Sequence, residues 1–151
     1  MVERIFYIDG DIFSTDAPFV MHQVNAQGVM GAGIAKRVRE DISEKDFLLY
    51  KNNCKLGEVI ITPSISHSER KYLNVVGQEQ YGRNPNVVYT NYDALKKAFE
   101  WISKEIKPNT KIAIPYKMGA GLANGDWDII LELIKTYLKN FYIFIYHFKN
   151  N

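Results

Sequence analysis

Hydrophobic positions along this chain follow two rhythms: short β-branched or aromatic runs, and longer stretches with apolar residues every three to four positions. The runs RIFYI (residues 4–8) and FVMHQV (19–24) predict strands, followed by a helix over about 32–40 and another over 45–52. EVIIT (58–62) and YLNVVGQ (72–78) are β-branched and bounded by Gly or Pro, which again predicts strands. The period then changes in YTNYDALKKAFEWISKEI, where Leu95, Ala98, Phe99, Ile102 and Ile106 fall on one helical face. Thr90 with Asp93 three residues on has the spacing of a capping box, so Thr90 is the predicted cap. KIAIP (111–115) reads as a buried strand, DWDIILELIKTYLK (126–139) as an amphipathic helix and FYIFIYHF (141–148) as a closing strand. Strands feeding helices predict an α/β fold with right-handed crossovers and a mostly parallel sheet covered on both faces. Ligands of such sheets bind beyond the carboxyl ends of the strands.

Two segments at those ends are rich in glycine: NAQGVMGAG (25–33) and YKMGAGLANGD (116–126), each between a strand and a helix. Gly28, Gly31 and Gly33 give G-x-x-G-x-G, which is not the dinucleotide G-x-G-x-x-G, and no G-K-[ST] of a P-loop is present. Either loop alone is equally well a tight turn. Two at one sheet edge suit a ligand with two adjacent phosphates, each held by main-chain amides at a helix N-terminus instead of by lysines.

Composition narrows the setting. The chain has 151 residues, 46% of them hydrophobic, as expected of one domain over 1–151 with a core of its own. A formal net charge of +2 gives no bulk field toward nucleic acid or membrane, so neither is expected as a partner, a local basic patch being the one opening left. The one cysteine, Cys54, excludes an internal disulfide, and no apolar run approaches the roughly 18 residues of a membrane span. A cytoplasmic monomer is expected. His22, His67 and His147 lack metal-ligand spacing with Cys54 or with one another, so neither a metal nor a cofactor is expected.

YIDGDIF, VNAQGVMGAGIAKRV and IPYKMGAGLANGDW together resemble, in order and spacing, the three ligand loops of macrodomains, the ADP-ribose-binding modules, and the resemblance covers essentially the whole chain. It implies a three-layer α/β/α sandwich around a mixed, mostly parallel sheet of about six strands, with ADP-ribose across the strand ends. By that resemblance Asp11 accepts a hydrogen bond from the adenine amino group, and Ile12 offers a main-chain amide beside the base. Asn25 faces the distal ribose, an Asx cap on the following loop being the alternative; Gly28, Val29, Met30, Gly31, Ala32, Gly33 and Ile34 wrap that ribose and one phosphate. Met118, Gly119, Ala120, Gly121 and Leu122 wrap the other phosphate, and Tyr146 or Phe148 packs on the adenine, core packing being the alternative for these two aromatics.

Binding and chemistry are separate matters, because macrodomains include readers, glycohydrolases and a phosphatase. Members that remove ADP-ribose through a lysine and a loop aspartate are a poor match, since Gln78, Glu79 and Gln80 stand where the lysine belongs and Ala123 where the aspartate does. Asp126 is the nearest carboxylate, a catalytic candidate or a cap on the next helix. Phosphatases acting on ADP-ribose 1″-phosphate include members with a histidine three residues before the loop asparagine, as His22 stands before Asn25. An imidazole suits a general base or nucleophile toward a phosphomonoester. Parity along a regular strand sends His22 and Asn25 to opposite faces, and a core histidine is the alternative. The resemblance therefore implies an ADP-ribose 1″-phosphate phosphatase with His22, Asn25 and Asp126 as catalytic candidates. An ADP-ribosyl hydrolase or a non-catalytic reader is the alternative. GRNPN (82–86) is expected to lie over the cleft, where Arg83 is a solvated loop arginine or, as the alternative, meets a terminal phosphate.

Overall fold

A computed structural model describes residues 3–148. Six strands form one mixed sheet in the order β1-β6-β5-β2-β4-β3. They are β1 (Ile5–Asp9), β2 (Phe19–Asn25), β3 (Val59–Pro63), β4 (Lys71–Gln78), β5 (Lys111–Pro115) and β6 (Tyr142–His147). All neighbouring pairs are parallel except β3 with β4. The helices are α1 (Gly33–Glu40), α2 (Glu44–Asn53), α3 (Tyr92–Glu105) and α4 (Trp127–Tyr137), and a single 3-10 turn covers Ile12–Ser14.

Strand alternation divides the core into two halves, because successive side chains leave a strand on opposite faces. Met21, Leu73, Val75, Ile112, Ile114 and Ile145 meet Leu95, Phe99 and Ile102 of α3 and Ile130 and Ile134 of α4. On the other face Val20, Val24, Ile60, Tyr72 and Val76 meet Val38 of α1 and Tyr50 of α2. The central strands β2, β4 and β5 are thus covered twice, which is why they read as near-continuous apolar runs.

β2 pairs regularly with β4 up to Val24 opposite Val76, and Asn25 then stands opposite Gln78, so Gly77 is the skipped residue. The irregularity lies on β4 and β2 keeps its alternation. His22 accordingly shares its face with Val20, Val24 and its cross-strand partner Asn74.

One expected cap is displaced by a residue. α3 starts at Tyr92, so its cap is Asn91, whose side chain accepts from Ala94 N at 2.9 Å. Thr90 is drawn away from the helix, its hydroxyl donating to Gly119 O at 2.6 Å. Asn91→Ala is expected to destabilise the fold by about 1 kcal/mol, the usual cost of losing such a cap. Urea denaturation checks this, and Asp93→Ala should cost distinctly less.

Candidate functional site

The carboxyl ends of β2 and β5 open into a cavity of about 760 Å³. β2 contributes His22, Gln23, Val24 and Asn25; the following loop and first turn of α1 contribute Val29, Gly31, Ala32, Gly33, Ile34 and Ala35. The connection from β5 to α4 supplies Pro115, Tyr116, Lys117, Met118, Gly119, Gly121, Leu122 and Ala123. A third wall comes from the segment after β4, with Gln78, Tyr81, Gly82 and Arg83. The lining has two cations, Arg83 and Lys117, and no carboxylate among the described residues.

Three helices end on a side-chain cap: Ser43 accepts from Asp46 N in α2, Asn91 from Ala94 N in α3, and Asp126 from Asp128 N in α4. α1 begins after Ala32, which has no side chain to offer, and the first amides of a helix have no partner within it. Those amides lie where Gly31 to Ala35 line the cavity. Asn25 shapes the approach: its Oδ1 accepts from Gln27 N at 3.1 Å and Val29 N at 3.2 Å, and its Nδ2 donates to Val29 O at 2.8 Å. Its carbonyl receives the Tyr50 hydroxyl at 2.8 Å. Every side-chain bond of Asn25 thus fixes its own loop.

The second glycine loop is tied to β2 through Gln23, a residue that sequence reading passed over. Gln23 Nε2 donates to Gln78 Oε1 and to Thr90 Oγ1, both at 2.9 Å, and the Thr90 hydroxyl donates onward to Gly119 O. Gln23 Oε1 is buried without a protein partner. A Cβ on Gly77 would come within 2.6 Å of that oxygen and one on Gly119 within 2.7 Å, so both positions exclude a side chain.

His22 is 2% exposed, and its Nε2 lies 2.5 Å from Asn74 Oδ1. Asn74 Nδ2 donates to Ile60 O at 2.8 Å and to Thr62 Oγ1 at 2.9 Å, which leaves Oδ1 as the acceptor and makes Nε2 the protonated nitrogen of His22. Nδ1 is then a buried lone pair without a protein partner. Burial, only partly offset by the Asn74 bond, pushes the His22 pKa down to about 4, so the ring is neutral at physiological pH.

Several candidate residues lie outside the cavity wall. Asp126 caps α4, and its amide donates to the Tyr92 hydroxyl. Asp11 caps the 3-10 turn through Phe13 N and receives Arg37 Nη1 on both carboxylate oxygens at 3.0 Å. Ile12 and Met30 are buried in the core half beneath α1 and α2. Gly28 is buried against Lys51, and Ala120 packs against the core half beneath α3 and α4. Tyr146 donates its hydroxyl to Thr15 Oγ1 at 2.9 Å, and Phe148 is exposed. No helix of the described residues is long and apolar enough to cross a membrane.

The His22 shift predicts a pH dependence of stability. Its folded pKa lies below the unfolded value of 6.5, so between those values the unfolded chain binds more protons and stability falls as pH falls. The loss should span pH 6.5 to about 4 and reach about 3 kcal/mol. Urea titrations at stepped pH check it; His22→Gln, which keeps a donor for Asn74, should flatten that window, and an unchanged slope in the variant would remove His22 as the cause.

No protein-family model matches the chain. The uncharacterized 17.5 kDa protein in the tk-vs intergenic region of enterobacteria phage T4 is 30% identical over 152 residues, which cover 92% of this chain and 93% of that protein. Among solved structures, the macrodomain of Thermus aquaticus DarG aligns over 97% of this chain and 98% of its own, at 17% identity and a TM-score of 0.71. Thermosipho africanus DarTG, solved in complex with ADP-ribose, aligns over 97% of this chain and 42% of its own, at 20% identity and a TM-score of 0.76. The chain therefore belongs to the same family as the phage T4 protein, and its fold is that of the macrodomains.

Proposed function

We propose that the chain binds ADP-ribose with its diphosphate between the two glycine loops. The observation that carries this reading is a carboxylate-free cavity into which the one helix without a side-chain cap opens, an environment for phosphate oxygens. A protein of the same fold, Thermosipho africanus DarTG, has been solved with ADP-ribose bound. On this reading Asp11 accepts from the adenine amino group with lone pairs that Arg37 leaves free; the Arg37 side chain is 52% exposed, so that ion pair adds little to stability.

The binding reading has its own test. Calorimetry should register ADP-ribose affinity in the wild type, and Asp11→Ala should lose roughly ten- to a hundredfold, the value of a charge-assisted hydrogen bond. Gly121→Val should fold, because no atom lies within 4 Å of a Cβ placed there, yet should abolish binding by filling the phosphate path. Normal affinity in both variants would refute the site.

The finer reading is hydrolysis of ADP-ribose 1″-phosphate to ADP-ribose and phosphate, with His22 as general base. Its support is the position of the ring in the cavity wall and an Nδ1 that is buried but has no protein partner, so that a water must reach it as substrate binds. The oxygen of a water forms the new bond to phosphorus as Nδ1 takes its proton; the bond from phosphorus to the sugar oxygen breaks, and that oxygen leaves as a hydroxyl by taking a proton back. A phosphate dianion beside the ring raises the histidine pKa from its low resting value, which makes the base stronger when substrate is present. That same low resting basicity favours the competing reading, ADP-ribose binding without turnover. His22→Gln should lower phosphate release at least 10²-fold and leave ADP-ribose affinity nearly unchanged. Equal turnover in a folded variant would remove His22 as the base, and none in the wild type would leave a binding module.

A further inference from the structure

α1 and α2 cover the sheet face over β2, β4 and β3, but the same face continues onto β6 and β1, where aromatic side chains stand partly open to solvent. Register places positions 4, 6 and 8 at β1, 142, 144 and 146 of β6, and 111, 113 and 115 of β5 on that face, and none of the nine is a carboxylate. Two rows of planar and charged groups run across it. In the first, Lys111 Nζ lies 5.9 Å from the centroid of the Phe144 ring, and Phe144 stacks on Phe6 with centroids 5.3 Å apart at an interplanar angle of 20°. In the second, the Arg4 guanidinium lies 4.6 Å from the centroid of the Tyr142 ring and is anchored by Asn109 Oδ1 at 2.9 Å and Asn140 O at 3.3 Å.

Both rows end at the edge of the sheet, because β1 pairs with β6 alone. Phe6 is 36% exposed on that edge strand and stacks on Phe144 on its inner side. Arg4 and Phe6 stand two residues apart on one strand, about 7 Å along the edge, and each offers a plane on which a flat ring can stack. Buried sheet faces do not leave aromatic stacks capped by cations and free of opposing carboxylates; such a surface complements a polyanion that carries its own exposed rings.

We propose that this face is a platform for single-stranded nucleic acid, whose bases extend the Phe144–Phe6 stack and the Arg4 plane while its phosphates run near Lys111 and Arg4. A duplex hides the faces of its bases and fits poorly, and base stacking on aromatic side chains is tolerant of sequence. Arg4, Phe6, Lys111, Tyr142 and Phe144, which carry the platform, line no part of the cavity, so the inference stands apart from the ADP-ribose reading.

Fluorescence anisotropy with labelled oligothymidine, oligouridine and a duplex of equal length tests it at low salt, the two single-stranded arms separating DNA from RNA. The wild type should bind at least one single strand more tightly than the duplex. Phe6→Ala should weaken binding roughly five- to a hundredfold, the worth of one stacked base. Lys111→Glu, an exposed substitution, should weaken it and shallow its salt dependence. Lys111→Glu should keep the wild-type melting temperature, and Phe6→Ala, which loses its stack on Phe144, should melt lower yet stay folded at the assay temperature. The proposal is overturned if the wild type binds no single strand, if folded Phe6→Ala and Lys111→Glu both bind as well as wild type, or if sedimentation shows a dimer that Phe6→Ala dissolves while no oligonucleotide binds.

Discussion

The ligand end of this molecule depends on one buried amide. Gln23 leaves the central strand toward α3 and is held there by Gln78 and Thr90, with Thr90 in turn gripping the carbonyl of Gly119. Its oxygen occupies the space between Gly77 and Gly119, where a side chain on either would collide with it. β2, the irregular end of β4, the entry to α3 and the loop after β5 are therefore fixed to one another by a single side chain. The glycine at position 77 and the cap at 91 both follow from it: β4 skips Gly77, whose carbonyl then receives Asn91 N at 2.7 Å, and Thr90 is spent on the loop instead of on the helix.

With the strand ends locked, charge decides what the cavity accepts. Asn25 spends its amide on its own loop, and the caps Ser43, Asn91 and Asp126 spend their side-chain oxygens on the other helices, while the first amides of α1 have no side-chain cap. No acidic side chain competes in the wall. A cavity built this way holds anions by fixed dipoles, at little entropic cost on binding because the donors are main chain. His22, also in the wall, is kept neutral by burial.

The elements were legible because each has a strong local signature. β-branched runs gave all six strands within two residues of their observed bounds, and the apolar stripe of Leu95, Phe99 and Ile102 gave α3. The glycine loops were legible as well, since a run such as GVMGAG has few other uses. What escaped was polar and long-range. Gln23 meets Thr90 across 67 positions and Gln78 across 55, and nothing near a glutamine in sequence marks such partners. Tyr81 and Tyr116 were invisible as cavity walls for the same reason. Asp126 and Thr90 show a different limit: a short polar side chain before a helix has the same local pattern whether it caps, catalyses or braces a distant loop, and tertiary distance alone separates the three.

The account is tested most directly by a crystal structure of the protein with ADP-ribose. It predicts the diphosphate in the cavity, its oxygens within hydrogen-bonding distance of main-chain amides in both loops, Gly31 to Ala35 on one side and Gly119 to Ala123 on the other. Ligand bound elsewhere, or a diphosphate held by Arg83 and Lys117 with the loop amides unengaged, would contradict it.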